Sequence, residues 1–250
     1  MENTRYFVIL DYNGAPYHGW QVQPNSDSVQ GTLNNAFSLI LREPIYLTGA
    51  GRTDTGVHAR NFVAHFEALS PDLHEQPDLI RKLNRFLPRE IVVHRIAKVH
   101  PDAHSRFDAT SRTYRYKISK VKSPFDFYFS YYLFSPLDMK AMQQATEKLF
   151  QYTDFTSFSK VDTDVKTNDC KIMEARWNET PDELIFTIKA DRFLRNMVRA
   201  IVGTLIEVGQ HKLTVEEFCR VIEAKDRGKA GTSAPAHALM LVQIDYPYLF

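Results

Sequence analysis

The sequence predicts an α+β fold for this chain of 250 residues. Alternating or continuous apolar runs, typical of strands, interleave with segments that have helical spacing. No phosphate-binding glycine fingerprint follows the first predicted strand, which argues against a doubly wound nucleotide-binding fold. Long meandering strands with helices between them favour mixed or antiparallel sheets backed by helices. The two parts of the chain have similar content, and we therefore predict two similar halves of this kind.

The strands are predicted from alternation and apolar runs. They lie near Tyr6–Asp11, Phe62–Phe66, Ile91–Ala97, Tyr114–Ile118, Lys171–Trp177, Leu184–Ala190 and Leu239–Ile244.

The helices are predicted from apolar residues at helical spacing and from capping residues. They lie at Val29–Leu41, after Asp27 and Ser28 as possible caps, and near Asp78–Leu87, Asp138–Phe150, Phe193–Val208 and Val215–Ala224. Thr214 and Glu217 have the spacing of a capping box at the start of the last helix. Gly209 is expected to end the preceding helix as a left-handed cap.

The boundary between the halves is predicted in Lys98–Arg106, "KVHPDAHSR", which contains a proline and few apolar residues. We accordingly assign residues 1–104 to an N-terminal α+β domain and residues 105–250 to a C-terminal one.

The composition indicates a soluble globular protein. The chain is 44% hydrophobic with a net charge of +1, and no window approaches the roughly 20 apolar residues that span a bilayer. The start, "MENTRYFVILDY", has no basic leader or cleavage site, so we expect a cytoplasmic protein without a membrane partner. Only Cys170 and Cys219 are present, too few for a disulfide framework or a thiolate metal site.

Basic residues cluster in three places despite the small net charge. A chain with such clusters can bind a polyanion, although each cluster alone could equally be a solvated face. The clusters are Arg112, Arg115, Lys117, Lys120 and Lys122; Arg81, Lys82, Arg85 and Arg89; and Arg192, Arg195 and Arg199.

The stretch "LTGAGRTDTGVHAR", Leu47 to Arg60, concentrates glycines around charged residues. Glycines on both sides of Asp54 let a bulky ligand approach the backbone. An arginine fixed beside Asp54 would keep its carboxylate ionised and able to act as nucleophile, base or electrostatic partner. A turn aspartate bonded to its own backbone remains the simpler alternative. His58 is expected to stabilise this loop.

Two histidines, His100 and His104, have the i, i+4 spacing of a zinc pair. Pro101 argues against a regular helix between them, and no third ligand is evident. We therefore predict no metal site.

Several motifs in order make the chain resemble one family. The string "GAGRTDTGVHA" closely resembles the signature loop of the bacterial tRNA pseudouridine synthases of the A type. The segments "LDYNGAPYHGWQVQPNSDSVQGTL", "AHSRFDATSRTYRY", "DFTSFSK", "RFLRNMVRAIVGTLIEVG", "AKDRGKAGTSAPAHALML" and "VQIDYPY" are similar to further family elements. The resemblance spans nearly the whole chain.

The resemblance implies the pseudouridine synthase fold, with the active-site cleft between the two halves. It implies an isomerase that converts uridine to pseudouridine at positions 38 to 40 of the tRNA anticodon arm. It also implies several different tRNA substrates and a homodimer. This isomerisation involves no redox step or group donor, so no cofactor is expected.

The resemblance also assigns roles to four residues. Asp54 corresponds to the catalytic aspartate, and Arg52 to an arginine that helps to displace and position the target nucleotide. Tyr114 corresponds to an aromatic that stacks on the target uracil, and Arg199 to the cation that pairs with the carboxylate. The chain departs from the common pattern at Thr55, often alanine, and at Ala238, often glycine; both are expected to alter packing more than chemistry.

The residues alone leave several alternatives open. Of Tyr114 and Tyr116, one is expected to point to the core and the other to face the cleft, but the strand does not tell which. Arg195 and Arg199 could be the solvated face of their helix. The catalytic aspartate could act through a glycal, the route favoured here, or through addition to uracil C6.

Three alternative functions also remain. A non-catalytic RNA-binding module would need Asp54 only as a turn former. A glycoside or nucleoside hydrolase would usually need a second carboxylate nearby, which the loop does not supply. A pseudouridine synthase for another RNA or another tRNA position is hardly separated from the main prediction by sequence.

Overall fold

The computed structural model describes residues 3–160 and 167–248. The chain forms two compact units, one containing the chain up to Thr110 and again from Leu241 on, the other Ser111–Met240. Each unit contains strands and helices, and the strands include antiparallel and parallel pairs. The predicted α+β class, with a mixed sheet backed by helices, is confirmed.

The first unit has an antiparallel sheet in the order β4, β1, β3, with the short β2 also paired to β3. Its central strand β1 is buried on both faces, since Tyr6, Phe7 and Val8 are all inaccessible to solvent. The strands are β1 (Thr4–Tyr12), β2 (Thr48–Gly49), β3 (His58–Ala68) and β4 (Ile91–Lys98).

Two helices back this sheet, α1 (Val29–Leu41) and α2 (Leu79–Phe86). Helix α1 begins as predicted, because the Ser28 side chain accepts a hydrogen bond from the Gly31 N–H at 3.1 Å. Its buried Phe37 packs edge-on against Phe66 of β3, with ring centroids 5.1 Å apart. Deleting a buried aromatic ring of this kind costs about 3 to 5 kcal/mol.

The second unit has strands in the order β5, β8, β7, all antiparallel, with a short β6 that pairs with β5 in parallel. The long strands coincide closely with the predicted ones. They are β5 (Ser111–Ser119), β7 (Ile172–Glu179) and β8 (Glu183–Ala190); β6 is Tyr131–Tyr132. The last strand, β9 (Leu239–Asp245), begins in this unit and continues into the first one at Leu241.

The described part of this unit also contains three α-helices, α3 (Met139–Lys148), α4 (Met197–Gly209) and α5 (Val215–Glu223). Helix α3 contacts α4, α5 and β7, and the indole of Trp177 on β7 donates a hydrogen bond to Thr146 of α3 at 3.1 Å. The predicted capping box is present, since Thr214 and Glu217 exchange bonds of 2.8 and 3.1 Å.

Helix α4 differs from the prediction at both ends. It begins at Met197 instead of Phe193, because Asn196 adopts a left-handed conformation with φ of 68°. Gly209 does not form the predicted left-handed cap; it is the last helical residue, and His211 has the positive φ instead. A Cβ on Gly209 would lie 2.5 Å from Met142 Sδ, so glycine is there to let α3 approach closely.

The two units also differ from the predicted ranges 1–104 and 105–250. Residues 105–110 and the chain from Leu241 on belong to the first unit. Ser105 donates to the Thr48 carbonyl at 2.8 Å, and Tyr248 donates to Asp108 at 2.6 Å. These hydrogen bonds join the predicted connecting segment and the chain end to the first sheet. Division into two domains with separate roles stays a prediction.

No helix within residues 3–160 and 167–248 is long and apolar enough to cross a membrane.

Candidate active site

Asp54 lies in the loop that joins β2 to β3 of the first unit. The Val57 N–H donates to the Asp54 carbonyl at 3.1 Å and closes a turn, in which Gly56 has a φ of 79° that favours glycine. Asp54 is half-buried, whereas Arg52 and Thr55 are exposed. The loop therefore presents a carboxylate from a fixed backbone position.

The segment that precedes α1 supports the residue before Asp54. The Thr53 carbonyl accepts the Trp20 N–H at 3.3 Å, and the Thr53 hydroxyl bonds the Tyr12 hydroxyl at 2.9 Å in a buried position. Gly19, with φ of +89°, passes so close that a Cβ would lie 2.4 Å from the Thr53 oxygen. Gly19 and Trp20, in the "HGWQ" stretch before α1, therefore hold the backbone of the Asp54 loop in place at Thr53.

The other end of the loop is held by the turn that follows β1. The His58 Nδ1 accepts a hydrogen bond from the Gly14 N–H at 3.0 Å, and the Gly56 N–H donates to the Tyr17 carbonyl at 3.3 Å. A Cβ on Gly14 would lie only 2.0 Å from the Val57 oxygen. The prediction that His58 stabilises this loop is confirmed, and because Nδ1 accepts, the neutral ring carries its proton on Nε2.

Arg52 lies in the same loop, and its side chain is exposed. An exposed guanidinium can bind a phosphate or carboxylate through its planar fork of donors. That an arginine is fixed beside the Asp54 carboxylate stays a prediction.

Tyr114 lies on β5 of the second unit. It is half-buried, and its ring contacts Phe193 edge-on with centroids 5.1 Å apart. Tyr116 is fully buried and donates from its hydroxyl to the Pro235 carbonyl at 3.0 Å. Tyr116 is thus the core residue of the two, and that Tyr114 faces the cleft stays a prediction. Residues two apart in a strand lie on the same face of the sheet. The difference in burial between the two tyrosines therefore comes from their positions along β5 and not from opposite faces.

Arg199 is in the first turn of α4 and is half-buried. Its Nε donates to the Ala234 carbonyl at 2.8 Å, and the Ala234 N–H donates to the Arg199 carbonyl at 3.0 Å. Burial raises the pKa of the Tyr116 hydroxyl, and the negative charge that Tyr131 can carry raises this pKa further. The positive charge of Arg199 acts in the opposite direction and lowers the pKa of Tyr116. Arg199 is thus an oriented cation and not part of a solvated face, whereas Arg195 is exposed and precedes the helix.

The segment 231–235 that orients Arg199 is attached along α4. The Gly231 N–H donates to the Thr204 hydroxyl at 3.0 Å, and a Cβ on Gly203 would lie 1.9 Å from the Thr232 oxygen. Asn196 and Arg227 both donate to the Ser233 hydroxyl, at 2.7 and 2.8 Å. Sequence reasoning missed Gly203 and Thr204; the one available signal is a pair of small residues inside an otherwise bulky apolar helix.

The basic clusters are less electropositive than the sequence suggested. Several of their members form ion pairs, which leaves less charge for an external polyanion. These pairs are Arg81 with Asp78 at 2.9 Å, Arg89 with Glu90 at 2.9 Å, Lys117 with Asp126 at 3.2 Å and with Glu183, and Lys120 with Glu179 at 3.0 Å.

The two histidines with zinc-like spacing have other contacts. His104 accepts the Arg106 N–H at 3.2 Å and packs against His65, with ring centroids 4.5 Å apart. His100 packs against Tyr248. Among the described residues there is no group of three or more His, Cys, Asp or Glu side chains that could hold a metal ion.

Comparison with known proteins gives a consistent result. A family model described as tRNA pseudouridine synthase matches residues 147–247. The chain is 54% identical to the tRNA pseudouridine synthase A of Parabacteroides distasonis, over 97% of this chain and 96% of that protein. It is 55% identical to the protein of the same name from Bacteroides thetaiotaomicron, over 97% and 91%.

The chain belongs to the tRNA pseudouridine synthase A family. The family predicted from the sequence is thus confirmed over nearly the whole chain. A more distant member, from Exiguobacterium sp., is still 36% identical over 96% of both proteins.

The two departures from the common pattern of the family lie in different settings. Thr55 is exposed in the turn after Asp54, and Ala238 is buried in a short 3-10 turn before β9. That both alter packing more than chemistry stays a prediction.

Proposed function

We propose that this protein converts uridine to pseudouridine at positions 38 to 40 of the tRNA anticodon arm, with Asp54 as the catalytic residue. Membership of the family makes the chain an isomerase that acts on tRNA. The observation that carries the role of Asp54 is the support of its loop. The carboxylate is half-exposed, while Thr53 before it and Val57 after it are held against buried parts of the first unit.

A loop of this kind suits a reaction that requires one well-aimed carboxylate. Pseudouridine formation breaks the bond between uracil N1 and ribose C1′, turns the base, and joins C5 to C1′. In the route that we favour, Asp54 removes the C2′ proton, uracil leaves as an anion, and the resulting glycal accepts the base again through C5. The C2′ proton is returned, the C5 proton is lost and N1, now free of the ribose, gains a proton, so the atoms balance without a cofactor.

The same aspartate could alternatively attack C1′ or add to uracil C6. All of these routes need an ionised, positioned carboxylate, and correct positioning of reacting groups contributes several kcal/mol to a rate enhancement.

Tyr114, Arg199 and Arg52 have supporting roles in the proposal. A stacked uridine must be extruded before it can react, at a cost of a few kcal/mol. Stacking of the extruded base on Tyr114 contributes roughly 1 to 3 kcal/mol and offsets much of that cost. Arg199, oriented by Ala234, pairs with the catalytic carboxylate. The exposed Arg52 binds a phosphate or occupies the space that the base leaves.

We further propose that the protein acts on several different tRNAs, that its active form is a homodimer, and that it is located in the cytoplasm. Structured RNA is recognised largely through its backbone and 2′-hydroxyl groups, which suits an enzyme that accepts several tRNAs.

The test uses unmodified tRNA transcripts with uridines at positions 38, 39 or 40, incubated with the protein in the presence of a chelator. Carbodiimide labelling and primer extension map pseudouridine. Product at these positions, and its loss in matched transcripts with cytidine there, is the expected result. Product only at other uridines would mean that the protein modifies a site outside positions 38 to 40. Tight binding without any product would favour a non-catalytic RNA-binding module.

A further inference from the structure

The side chain of Arg227 binds neutral groups of the chain that follows it. Arg227 is half-buried and lies in a short 3-10 turn, Arg227–Lys229, after α5. Its Nη1 donates to the Ala230 and Gly231 carbonyls, each at 3.3 Å, and its Nη2 donates to the Ser233 hydroxyl at 2.8 Å. A charged donor strengthens each of these bonds. The guanidinium therefore fastens residues 230–233 to the turn.

The backbone beside Arg227 is itself fixed. The Asp226 N–H donates to the Ser157 hydroxyl at 3.0 Å, and this buried hydroxyl donates to the Val221 carbonyl of α5 at 2.6 Å. The Asp226 carboxylate accepts the Gly228 N–H at 2.8 Å and closes the start of the turn. The guanidinium thus acts on residues 230–233 from a point that is anchored to α5.

The Ser233 hydroxyl joins this turn to the start of α4. It accepts hydrogen bonds from Arg227 at 2.8 Å and from the side-chain amide of Asn196 at 2.7 Å, so both of its lone pairs are occupied. Asn196 immediately precedes α4, and its carbonyl accepts the Ala200 N–H of the first helical turn at 3.0 Å. Two separate elements of the unit therefore meet at one hydroxyl.

Ser233 is followed directly by the residue that orients Arg199. The Ala234 carbonyl accepts the Arg199 Nε–H at 2.8 Å, and the Ala234 N–H donates to the Arg199 carbonyl at 3.0 Å. The peptide unit between neighbouring residues is planar and rigid, so a displacement of Ser233 also moves the backbone of Ala234. The orientation of the Arg199 guanidinium therefore depends on the bonds made to the Ser233 hydroxyl.

Contacts on both sides of Ser233 hold the segment 231–235 to the rest of the unit. The Gly231 N–H donates to the buried Thr204 hydroxyl at 3.0 Å, and the Pro235 carbonyl accepts the Tyr116 hydroxyl at 3.0 Å. These contacts do not involve the Ser233 side chain. Loss of its hydroxyl should therefore shift the backbone locally and leave the unit folded.

We propose that Arg227 and Asn196 are positioning residues for the isomerisation. Through the Ser233 hydroxyl they fix the Ala234 carbonyl, which holds the Arg199 guanidinium in its working orientation. This inference deepens the proposed function and rests on it for the pairing of Arg199 with the catalytic carboxylate. Neither positioning residue contacts tRNA, so their loss lowers the rate of the chemical step and leaves tRNA affinity unchanged.

The first test measures single-turnover pseudouridine formation on a tRNA transcript, with tRNA binding measured on the same preparation. Arg227→Ala and Ser233→Ala should each lower the rate by at least about tenfold, because misplacement of a catalytic group by about 1 Å can cost roughly 100-fold. Ser233→Thr keeps the hydroxyl and should retain more of the rate than Ser233→Ala. The matched control is Arg220→Ala, since Arg220 is 68% exposed on α5 and pairs with Glu217; its rate should stay near wild type.

A double-mutant cycle separates positioning from general destabilisation. Arg199→Lys keeps the positive charge but removes the Nε–H that the Ala234 carbonyl accepts. In that background Arg227→Ala should therefore lower the rate by less than about threefold more. Equal fractional losses in the two backgrounds would overturn the proposal. Weaker tRNA binding with an unchanged rate would also overturn it, since Arg227 would then be an RNA contact.

A second measurement needs no substrate, so failure of this inference can be told apart from failure of the proposed function. NMR of 15N-labelled protein follows proton exchange at the Arg199 Nε–H, assigned with Arg199→Lys. Exchange should be at least about tenfold faster in Arg227→Ala and Ser233→Ala than in the wild-type protein. The Trp177 indole N–H, which bonds Thr146, reports opening of the whole unit and should be unaffected. Unchanged exchange at Arg199, or equal acceleration at both groups, would overturn the proposal.

Discussion

The contact between Gly19 and the Asp54 loop makes Gly19→Ala a direct test of the loop's positioning. A Cβ on Gly19 would lie 2.4 Å from the Thr53 oxygen, whereas ordinary contact begins at 3.4 Å. The Thr53 carbonyl must therefore move by about 1 Å, and the adjacent Asp54 moves with it. Because misplacement of a catalytic group by about 1 Å can cost roughly 100-fold in rate, we expect kcat to fall by about that factor.

The same substitution should destabilise the fold by a smaller, separable amount. Gly19 has a φ of +89°, and a left-handed conformation costs an L-residue roughly 1 to 2 kcal/mol. Weakening of the hydrogen bond from Trp20 to Thr53 adds about 1 kcal/mol. Urea unfolding should show a loss of about 2 to 3 kcal/mol, and single-turnover pseudouridine formation on a tRNA transcript gives the rate.

Gly31→Ala is the matched control. Gly31 lies in α1, has no positive φ, and a Cβ there would meet the Ser28 hydroxyl at 3.1 Å. Its rate should stay near wild type. A Gly19→Ala protein that is folded and retains kcat within about threefold of wild type would refute the argument that this contact positions Asp54.

Three further predictions concern other parts of the molecule. Tyr12→Phe leaves the buried Thr53 hydroxyl without its partner and should lower the free energy of unfolding by about 1 to 3 kcal/mol in urea titrations; no change would mean that this bond contributes nothing. Burial, with the charges of His104 and Arg5, lowers the pKa of His65 from 6.5 to about 4. The unfolded chain therefore binds this proton more tightly than the folded chain does. The free energy of unfolding should be at its full value above pH 6.5 and should fall by up to about 3 kcal/mol as the pH is lowered to 4. His65→Gln should flatten that slope, and equal slopes in both proteins would contradict the assignment. Tyr114→Phe should keep more activity than Tyr114→Leu, whereas equal losses in kcat would indicate a required hydroxyl.

Hydrophobic patterning predicted the long strands and the five α-helices of the described residues, because each of them buries at least one face. Strands β2 and β6 were not predicted, since two residues are too short to show any alternation. The start of α4 was also missed. Its apolar spacing continues back to Phe193, and the left-handed turn at Asn196 that interrupts it has no counterpart in the hydrophobic pattern.

The functional residues were predicted less completely than the fold. Asp54 can be recognised in the sequence from its flanking glycines and from the family signature. The residues that hold its loop in place cannot be recognised in this way. Gly14 and Gly19 look like ordinary turn glycines until the structure places them against Val57 and Thr53. Such contacts join residues more than 30 positions apart, and a single sequence contains no local pattern that reports them.

The unpaired charge of the basic clusters was overestimated for a related reason. A count of Lys and Arg along the chain does not include acids that approach from other strands. Lys117 of β5 is paired with Glu183 of β8. The antiparallel register places Lys117 opposite Ile185, and Glu183 lies two residues further along β8, within reach of the lysine.

The most direct test of the account is single-turnover pseudouridine formation by Asp54→Asn on a tRNA transcript, with binding measured on the same preparation. The side chains are nearly the same size, and Asp54 is half-exposed, so the variant should fold and bind tRNA almost as well as wild type. We expect no pseudouridine at positions 38 to 40 even at long times, because the amide can act neither as a base nor as a nucleophile. Product formed at a rate near that of the wild-type protein would show that Asp54 is not the catalytic residue.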